Sequence, residues 1–501
     1  MKKFSLYLLT LILVPLAPAF PGRVYDIRSS GATGDGGTDN TIFIQKAIDS
    51  CAVTGGTVYI PEGVFLTATL VLKSNVTLHV SAKGVLLGHT SPAAYPYQDS
   101  GIPFYGGEWA KQALIFCKGQ ENVSIEGSGA IDGQGAAFVT NTLKKPDRYR
   151  NRPYLLWFAG CKNVRVSGVR LRNSAFWMQH YLGCERVVID GIDVWNHSNK
   201  NNDMIDIDGC RYVMISNVTG DADDDGITIK STSKLVSEHI TITNCVLSSH
   251  CNAIKFGTES TGGFRNITIS NCVIKPSAQT TTIYGRPAGI SGVSLEMVDG
   301  GILENVTISN LVIDGPEVPL FIRLGNRARK HVDSVPAPGY GQLRNVSISD
   351  IVANAGSDIG CSVTGLKASR VQNISLRNIQ LTTPGGGTGV ALQPVADEKE
   401  DAYPEATMFG KLPAHGFYIS HATGIRLSGI QLHHRSEEKR PAFFFHNTED
   451  FSLECDDVIS RDKHTPLVMV SESREGGVTV RSTKENVLET DKASQGVTLY
   501  K

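Results

Sequence analysis

Apolar and polar residues alternate along this chain in short bursts, and the bursts return. "NVSIEG" begins at Asn122, "NVRVSGVRL" at Asn163, "RVVIDGIDV" at Arg186, "YVMISNV" at Tyr212 and "HITITNCV" at His239. The series continues with "NITISNCVI" at Asn266, "NVTISNLVI" at Asn305, "NVSISDIV" at Asn345, "NISLRNIQL" at Asn373 and "GIRLSGIQL" at Gly424. Most copies lie 22 to 28 residues apart, with a few longer gaps. Each reads as a pair of short strands broken at a polar bend. Asn217, Asn244, Asn271, Asn310 and Asn378 share one bend position, and Asp350 takes it once.

A fixed period of short alternating strands is a solenoid signature. No helix-length amphipathic stretch separates the copies, which argues against alternating strand and helix. A coil of about 25 residues accommodates three short parallel strands and three turns. The pattern therefore predicts an all-β fold, a single-stranded parallel β-helix, with bend asparagines stacked as a ladder. A rod of this kind needs a cap, and Ile42 to Cys51 supplies an amphipathic helix just before the first strands. The long gaps around residues 276–292, 325–344 and 385–416 are expected to leave the rod as loops. The β-helix domain is placed at residues 23–470, with core coils over about 115–435 and a C-terminal tail or final coil at 471–501.

Composition adjusts this picture only at its edges. The formal charge is −1, so nothing marks a polycation for nucleic acid. "MKKFSLYLLTLILVPLAPAF" has Lys2 and Lys3 before an apolar run, then Ala17-Pro18-Ala19. That is the layout of a secretory signal peptide over residues 1–19, and the run is too short to span a bilayer. The product is expected to be exported, to periplasm or exterior, with no membrane span and as a monomer. Of ten cysteines, Cys184 and Cys210 lie one repeat apart, as do Cys245 and Cys272. Such spacing suits stacked thiols as well as disulfides. No paired C-x-x-C motif suggests zinc, and no cofactor is expected.

Chemistry gathers at "GDADDDGITIK", Gly220 to Lys230. Aligning the inward residues of successive coils pairs Ile205 and Ile207 with Ile227 and Ile229, then with Ile254 and Phe256. Asp203 then precedes Ile205 as Asp225 precedes Ile227, one 22-residue coil apart. With Asp224 alongside, three carboxylates meet on coils about 4.8 Å apart. Close carboxylates raise one another's pKa, so one can stay protonated. A protonated acid opposite carboxylates that can activate water is what inverting glycoside hydrolysis requires. Asp221 and Asp223 read better as turn residues, and Asp206 and Asp208 as solvated or ladder positions.

These residues resemble glycoside hydrolase family 28, the polygalacturonase and rhamnogalacturonan hydrolase family of right-handed β-helices. "NSAFWMQHYLGCERVVIDGIDVWN", "NNDMIDIDGC", "DDGITIKS" and the opening "YDIRSSGATGDGGTDNTIFIQKAID" carry the resemblance. Its Asn-Thr-Asp motif falls on Asn201-Asn202-Asp203 and its Asp-Asp motif on Asp224-Asp225. The resemblance implies that Asp224 is the general acid, with Asp203 and Asp225 orienting and deprotonating the water. The substrate it implies is a pectic polysaccharide or oligosaccharide.

Two departures from the family pattern stand out. Its Gly-His-Gly histidine is replaced by Asn252, with His250 two residues early. Where polygalacturonases carry Arg-Ile-Lys, this chain has Ser294-Leu295-Glu296. A glutamate facing a galacturonate carboxylate is repulsive, which favours a neutral rhamnose at +1 and hence rhamnogalacturonan hydrolysis over polygalacturonase activity. Candidate cations for a −1 galacturonate are Lys230, Lys255, Arg323, Arg327 and Arg329. Trp177, His180, Tyr181, Tyr403, His415 and Tyr418 are possible cleft walls or core residues. Two other classes remain, a β-helix polysaccharide lyase and a non-catalytic carbohydrate-binding β-helix. The first would need calcium and a cationic base beside the aspartates, and the second would leave them replaceable.

Overall fold

The computed structural model describes residues 22–139, 147–387, 395–458, 464–481 and 485–500. The proposed signal peptide at 1–19 lies outside them. The described chain is dominated by strands that pair in parallel and wind into one continuous right-handed β-helix. Three strands make a coil: Gln179–Leu182, Glu185–Asp190 and Asp193–Asn196, then Ile205–Asp208, Arg211–Ser216 and Thr219–Ala222. Ile227–Ser231, Ser237–Thr243 and Val246–Ser249 form the next coil. Inward residues stack in files. Phe158 pairs with Tyr181, Tyr181 with Ile207, Ile207 with Ile229, Ile229 with Phe256, and Phe256 with Leu295. Each such side chain is fully buried, worth roughly 1.5–3 kcal/mol by transfer out of water.

The bends hold asparagine because the backbone there turns left-handed. Asn217, Asn244, Asn271, Asn310 and Asn378 have φ between 52° and 58°, as has Asp350, a region that side chains other than Gly, Asn and Asp enter at a cost. Their amides link coil to coil: Asn310 donates to Asn271 at 3.3 Å, and Asn378 to Asp350 at 2.7 Å. A second ladder runs along the other bend, with Asn305 donating to Asn266, Asn345 to Asn305 and Asn373 to Asn345 at 3.1 to 3.3 Å.

The helix Thr41–Thr54 closes the N-terminal end, burying Ile44, Ala47, Ile48 and Cys51. At the other end the coils continue past residue 435 through Phe443–Val458, Val468–Ser471, Arg474–Val480, Leu488–Thr490 and Gln495–Tyr500. The stretch from 474 onward is wound into the rod wherever it is described. All ten cysteines are buried thiols and no disulfide joins them. Cys117 and Cys161 sulfurs stack at 3.6 Å. Among the described residues no helix is long and apolar enough to cross a membrane.

Candidate active site

The three aspartates sit where two coils enter their first strands. Ile205 pairs with Ile227, and the Met204 amide donates to the Asp225 carbonyl at 2.9 Å, which fixes one turn upon the next. Asp203, Asp224 and Asp225 line a single pocket of about 110 Å³ with Lys230 and Lys255. Asp203 and Asp225 are nearly buried at 3 % and 4 % exposure, whereas Asp224 is partly open.

Two buried lysines hold the charge in place. Lys255 Nζ lies 2.9 Å from Asp225 Oδ2 and 3.9 Å from Glu296 Oε2. Asn252 donates its amide to Asp225 Oδ1 at 2.7 Å. Asp225 thus has both oxygens engaged by donors, an arrangement that suits a carboxylate. Lys230 Nζ is 3.4 Å from Asp203 and from Asp206, 3.7 Å from Glu259, and sits over the Trp177 ring at 4.5 Å. Burial works against both ammonium groups, but the surrounding carboxylates outweigh it and hold them charged.

One lysine facing three carboxylates leaves protons to be kept. Burial, then the charge of Asp206, pushes Asp203 well above the usual carboxylate range. Asp206 is pushed up to about 8, chiefly by burial. Asp224 rises to about 7, through burial first and the neighbouring Asp225 second. Its Oδ1 accepts from the Asp225 amide at 3.0 Å and its Oδ2 faces the Asn201 amide at 3.5 Å. The pocket therefore combines a proton-holding carboxyl at its opening with a lysine-paired carboxylate one residue away.

Several expected residues lie elsewhere. His250 is buried behind the turn, with Nδ1 against Asp223 at 2.8 Å and Nε2 against the Gln279 carbonyl at 2.8 Å, so it does not swing into the pocket. Asn202 staples its own loop. Its oxygen accepts from the Ser198 and Asn199 amides, and its nitrogen donates to the Ser174 and Phe176 carbonyls. Asn201 and Asp203 are the members of that motif that line the pocket. Arg323 is 1 % exposed and donates to the carbonyls of Gly365, Glu398 and Lys399. Its charge anchors the 395–409 segment rather than a sugar. Glu296 is fully buried, accepts from Ser294 Oγ at 2.6 Å, and rises to about 7 by burial despite Lys255. Neither Ser294 nor Glu296 faces the pocket, so the repulsion expected at +1 has no footing.

Of the two readings for Asp206 and Asp208, solvation fails, since both are fully buried, in register with residues of the coils on either side. The aromatic cluster of Phe104, Tyr154, Trp157 and Phe176 packs over their strand. Asp208 accepts from Thr232 and faces His180 at 3.0 Å. Asp221 and Asp223 do serve turns, accepting backbone amides of Ala278, Ile283 and Tyr284. Tyr181 stacks on Phe158 in the core, and Tyr418 is packed with Phe444 away from the pocket.

The pocket walls come largely from segments without the repeat. Tyr105, Trp109, Arg148, Tyr149, Trp177, Arg329 and Tyr403 line it, with Arg329 over the Tyr105 ring at 5.1 Å and Lys255 over that of Tyr403 at 5.7 Å. Trp109 and Tyr149 stack at 5.8 Å. Arg329 is engaged by Glu259 at 2.7 Å and Asp299 at 2.6 Å. Arg148 keeps a buried Nε with no partner. The density of aromatic and basic residues in "FYGGEWAK" and "DRYRNRPYLLW" is the signal that could have found these walls.

Comparison with known proteins places this geometry in context. A family model described as glycosyl hydrolases family 28 matches residues 52–398. An exo-poly-alpha-D-galacturonosidase of Dickeya chrysanthemi is 25% identical over 401 residues, covering 68% of this chain and 64% of that protein. The chain thus spans somewhat under two thirds of that relative's length. An endo-xylogalacturonan hydrolase A of Aspergillus tubingensis is 28% identical over 301 residues, covering 58% of this chain and 69% of that one. The crystal structure of a hyperthermoactive exopolygalacturonase from Thermotoga maritima superposes with a TM-score of 0.61 at 25% identity, covering 73% of this chain and 88% of that one.

Proposed function

The chain belongs to glycosyl hydrolases family 28, and from that premise we propose that it hydrolyses terminal galacturonosyl bonds of pectic chains with inversion. The observation that carries this reading is the convergence of Asp203, Asp224 and Asp225 in one pocket with Lys230 and Lys255. Asp224, protonated to about pH 7, donates to the leaving glycosidic oxygen. Asp225, held between Lys255 and Asn252, takes the proton of a water that Asp203 helps to orient. The water attacks the anomeric carbon from the face opposite the leaving group, so the configuration inverts. Arg148, Arg329 and the two lysines are the cations lining the pocket for a uronate carboxylate.

Action from a chain end follows from the walls. Tyr105, Trp109, Tyr149 and Tyr403 turn the groove of a bare β-helix into a pocket. The Dickeya and Thermotoga relatives are both named as exo-acting. With Glu296 buried, nothing disfavours a second galacturonate at +1, and homogalacturonan oligosaccharides stand ahead of rhamnogalacturonan. The leader-like residues 1–19 support export to where such polymers are met.

The test is product analysis on defined oligogalacturonides and rhamnogalacturonan oligosaccharides. Galacturonate monomers, released with inverted anomeric configuration and with saturated ends, are expected from the former. Unsaturated ends would replace this reading with a lyase, and early products of mixed internal lengths, instead of a monomer and a chain one unit shorter, would remove the chain-end assignment.

A further inference from the structure

A corner of the rod behind the pocket carries chemistry that the reaction does not use. Strand Asp193–Asn196 is followed by His197, strand Thr219–Ala222 by Asp223, and strand Val246–Ser249 by His250. Asn196 pairs with Ala222, and Ala222 with Ser249. His197, Asp223 and His250 therefore occupy one position on three successive coils, a column rising about 4.8 Å per step. Their side chains are 2 %, 0 % and 0 % exposed. One donor atom from each lies within 4.8 Å of the other two.

The histidines are already oriented as ligands would be. His197 Nε2 is tied to Asp221 Oδ1 at 2.9 Å, and His250 Nε2 to the Gln279 carbonyl at 2.8 Å. An imidazole whose far nitrogen rests on a carboxylate or carbonyl presents the other nitrogen to a metal. His250 Nδ1 is 2.8 Å from Asp223 Oδ1. His197 Nδ1 is buried with no hydrogen-bond partner. Charge is also unbalanced here. Asp221 and Asp223 are both buried, and among the described residues no lysine or arginine pairs with either. Two buried carboxylates with imidazoles as their ion-pair partners call for protons or for a dication.

We propose that His197 Nδ1, His250 Nδ1 and Asp223 form a site for one divalent transition cation of the zinc type. Two imidazoles and one carboxylate suit such an ion and are a poor match for calcium or magnesium, which prefer oxygen throughout. Binding replaces the contact between His250 Nδ1 and Asp223 Oδ1. The site is structural and stands independently of the reaction assigned above. Asp223 also accepts from the amides of Ile283 and Tyr284, Asp221 from Ala278, and His250 faces Gln279. The ion would thus fasten residues 276–292 to the rod.

The experiment uses the full chain, stripped of metal by chelator and then titrated with Zn²⁺ or Co²⁺. One equivalent of either is expected to bind, raising Tm, with Co²⁺ giving the visible absorption of nitrogen and oxygen ligation. His197→Gln should lose the binding while keeping its circular dichroism. Asp221→Asn, which disturbs the contact that orients His197 and leaves all three ligands in place, should weaken affinity about 10- to 100-fold. Absence of stoichiometric Zn²⁺ and Co²⁺ uptake by the folded wild type, equal uptake by His197→Gln, or stabilisation by Ca²⁺ alone would overturn the site and leave a hydrogen-bonded His–Asp–His column.

Discussion

Asp224 shows how one carboxyl is prepared for its task. Burial and the adjacent Asp225 carry it to about 7, while Asn252 and Lys255 spend their donors on Asp225. Replacing Asp224 with asparagine keeps the shape and removes the proton. We expect kcat to fall by roughly 10²–10⁴ with unchanged circular dichroism. The same carboxyl predicts an alkaline limb in the wild type, because the acid form disappears as pH rises through about 7. A profile of kcat against pH checks it. Glu296 titrates in the same range without facing the pocket. Its folded pKa of about 7 exceeds the ordinary 4.5, so its contribution to stability is complete in acid and is lost as pH rises toward neutrality. Glu296→Gln should therefore lose less stability than wild type between acid and neutral pH. The difference, up to roughly 3 kcal/mol, is measured by urea unfolding at both ends of the range.

At the scale of elements, the coils and their insertions divide the labour. Strands set the height of each aspartate, and loops decide what surrounds them. Arg323 illustrates the second role, holding the carbonyls of Glu398 and Lys399 in the segment that delivers Tyr403. Arg323→Met should loosen that wall and raise KM several-fold, about 1 kcal/mol of binding, with kcat nearly unchanged. Steady-state kinetics on oligogalacturonides separates the two. This division also explains what was legible beforehand. Alternation revealed the strands, and the 22-residue step from Asp203 to Asp225 revealed their shared floor, because both follow from backbone periodicity. The burial of Asp206 and Asp208 was hidden, since it depends on which side chains from elsewhere in the chain pack against them. The same dependence concealed why Arg323 turns to backbone carbonyls instead of a sugar, and why His250 faces Asp223.

For the molecule as a whole, stability is spread along a stack in which each coil meets only its neighbours. No covalent link reinforces that stack. The ten thiols sit inside it, two of them 3.6 Å apart between successive coils at Cys117 and Cys161. A reductant should consequently leave Tm unaltered, where a protein losing a native disulfide would give up about 2–5 kcal/mol. Thermal melts with and without dithiothreitol decide this.

Those sulfurs are harmless only after winding is finished. A partly wound chain in air offers ten thiols for accidental cross-links that the mature rod does not contain. Burial, complete only once the last coil is wound, is what keeps this interior from oxygen.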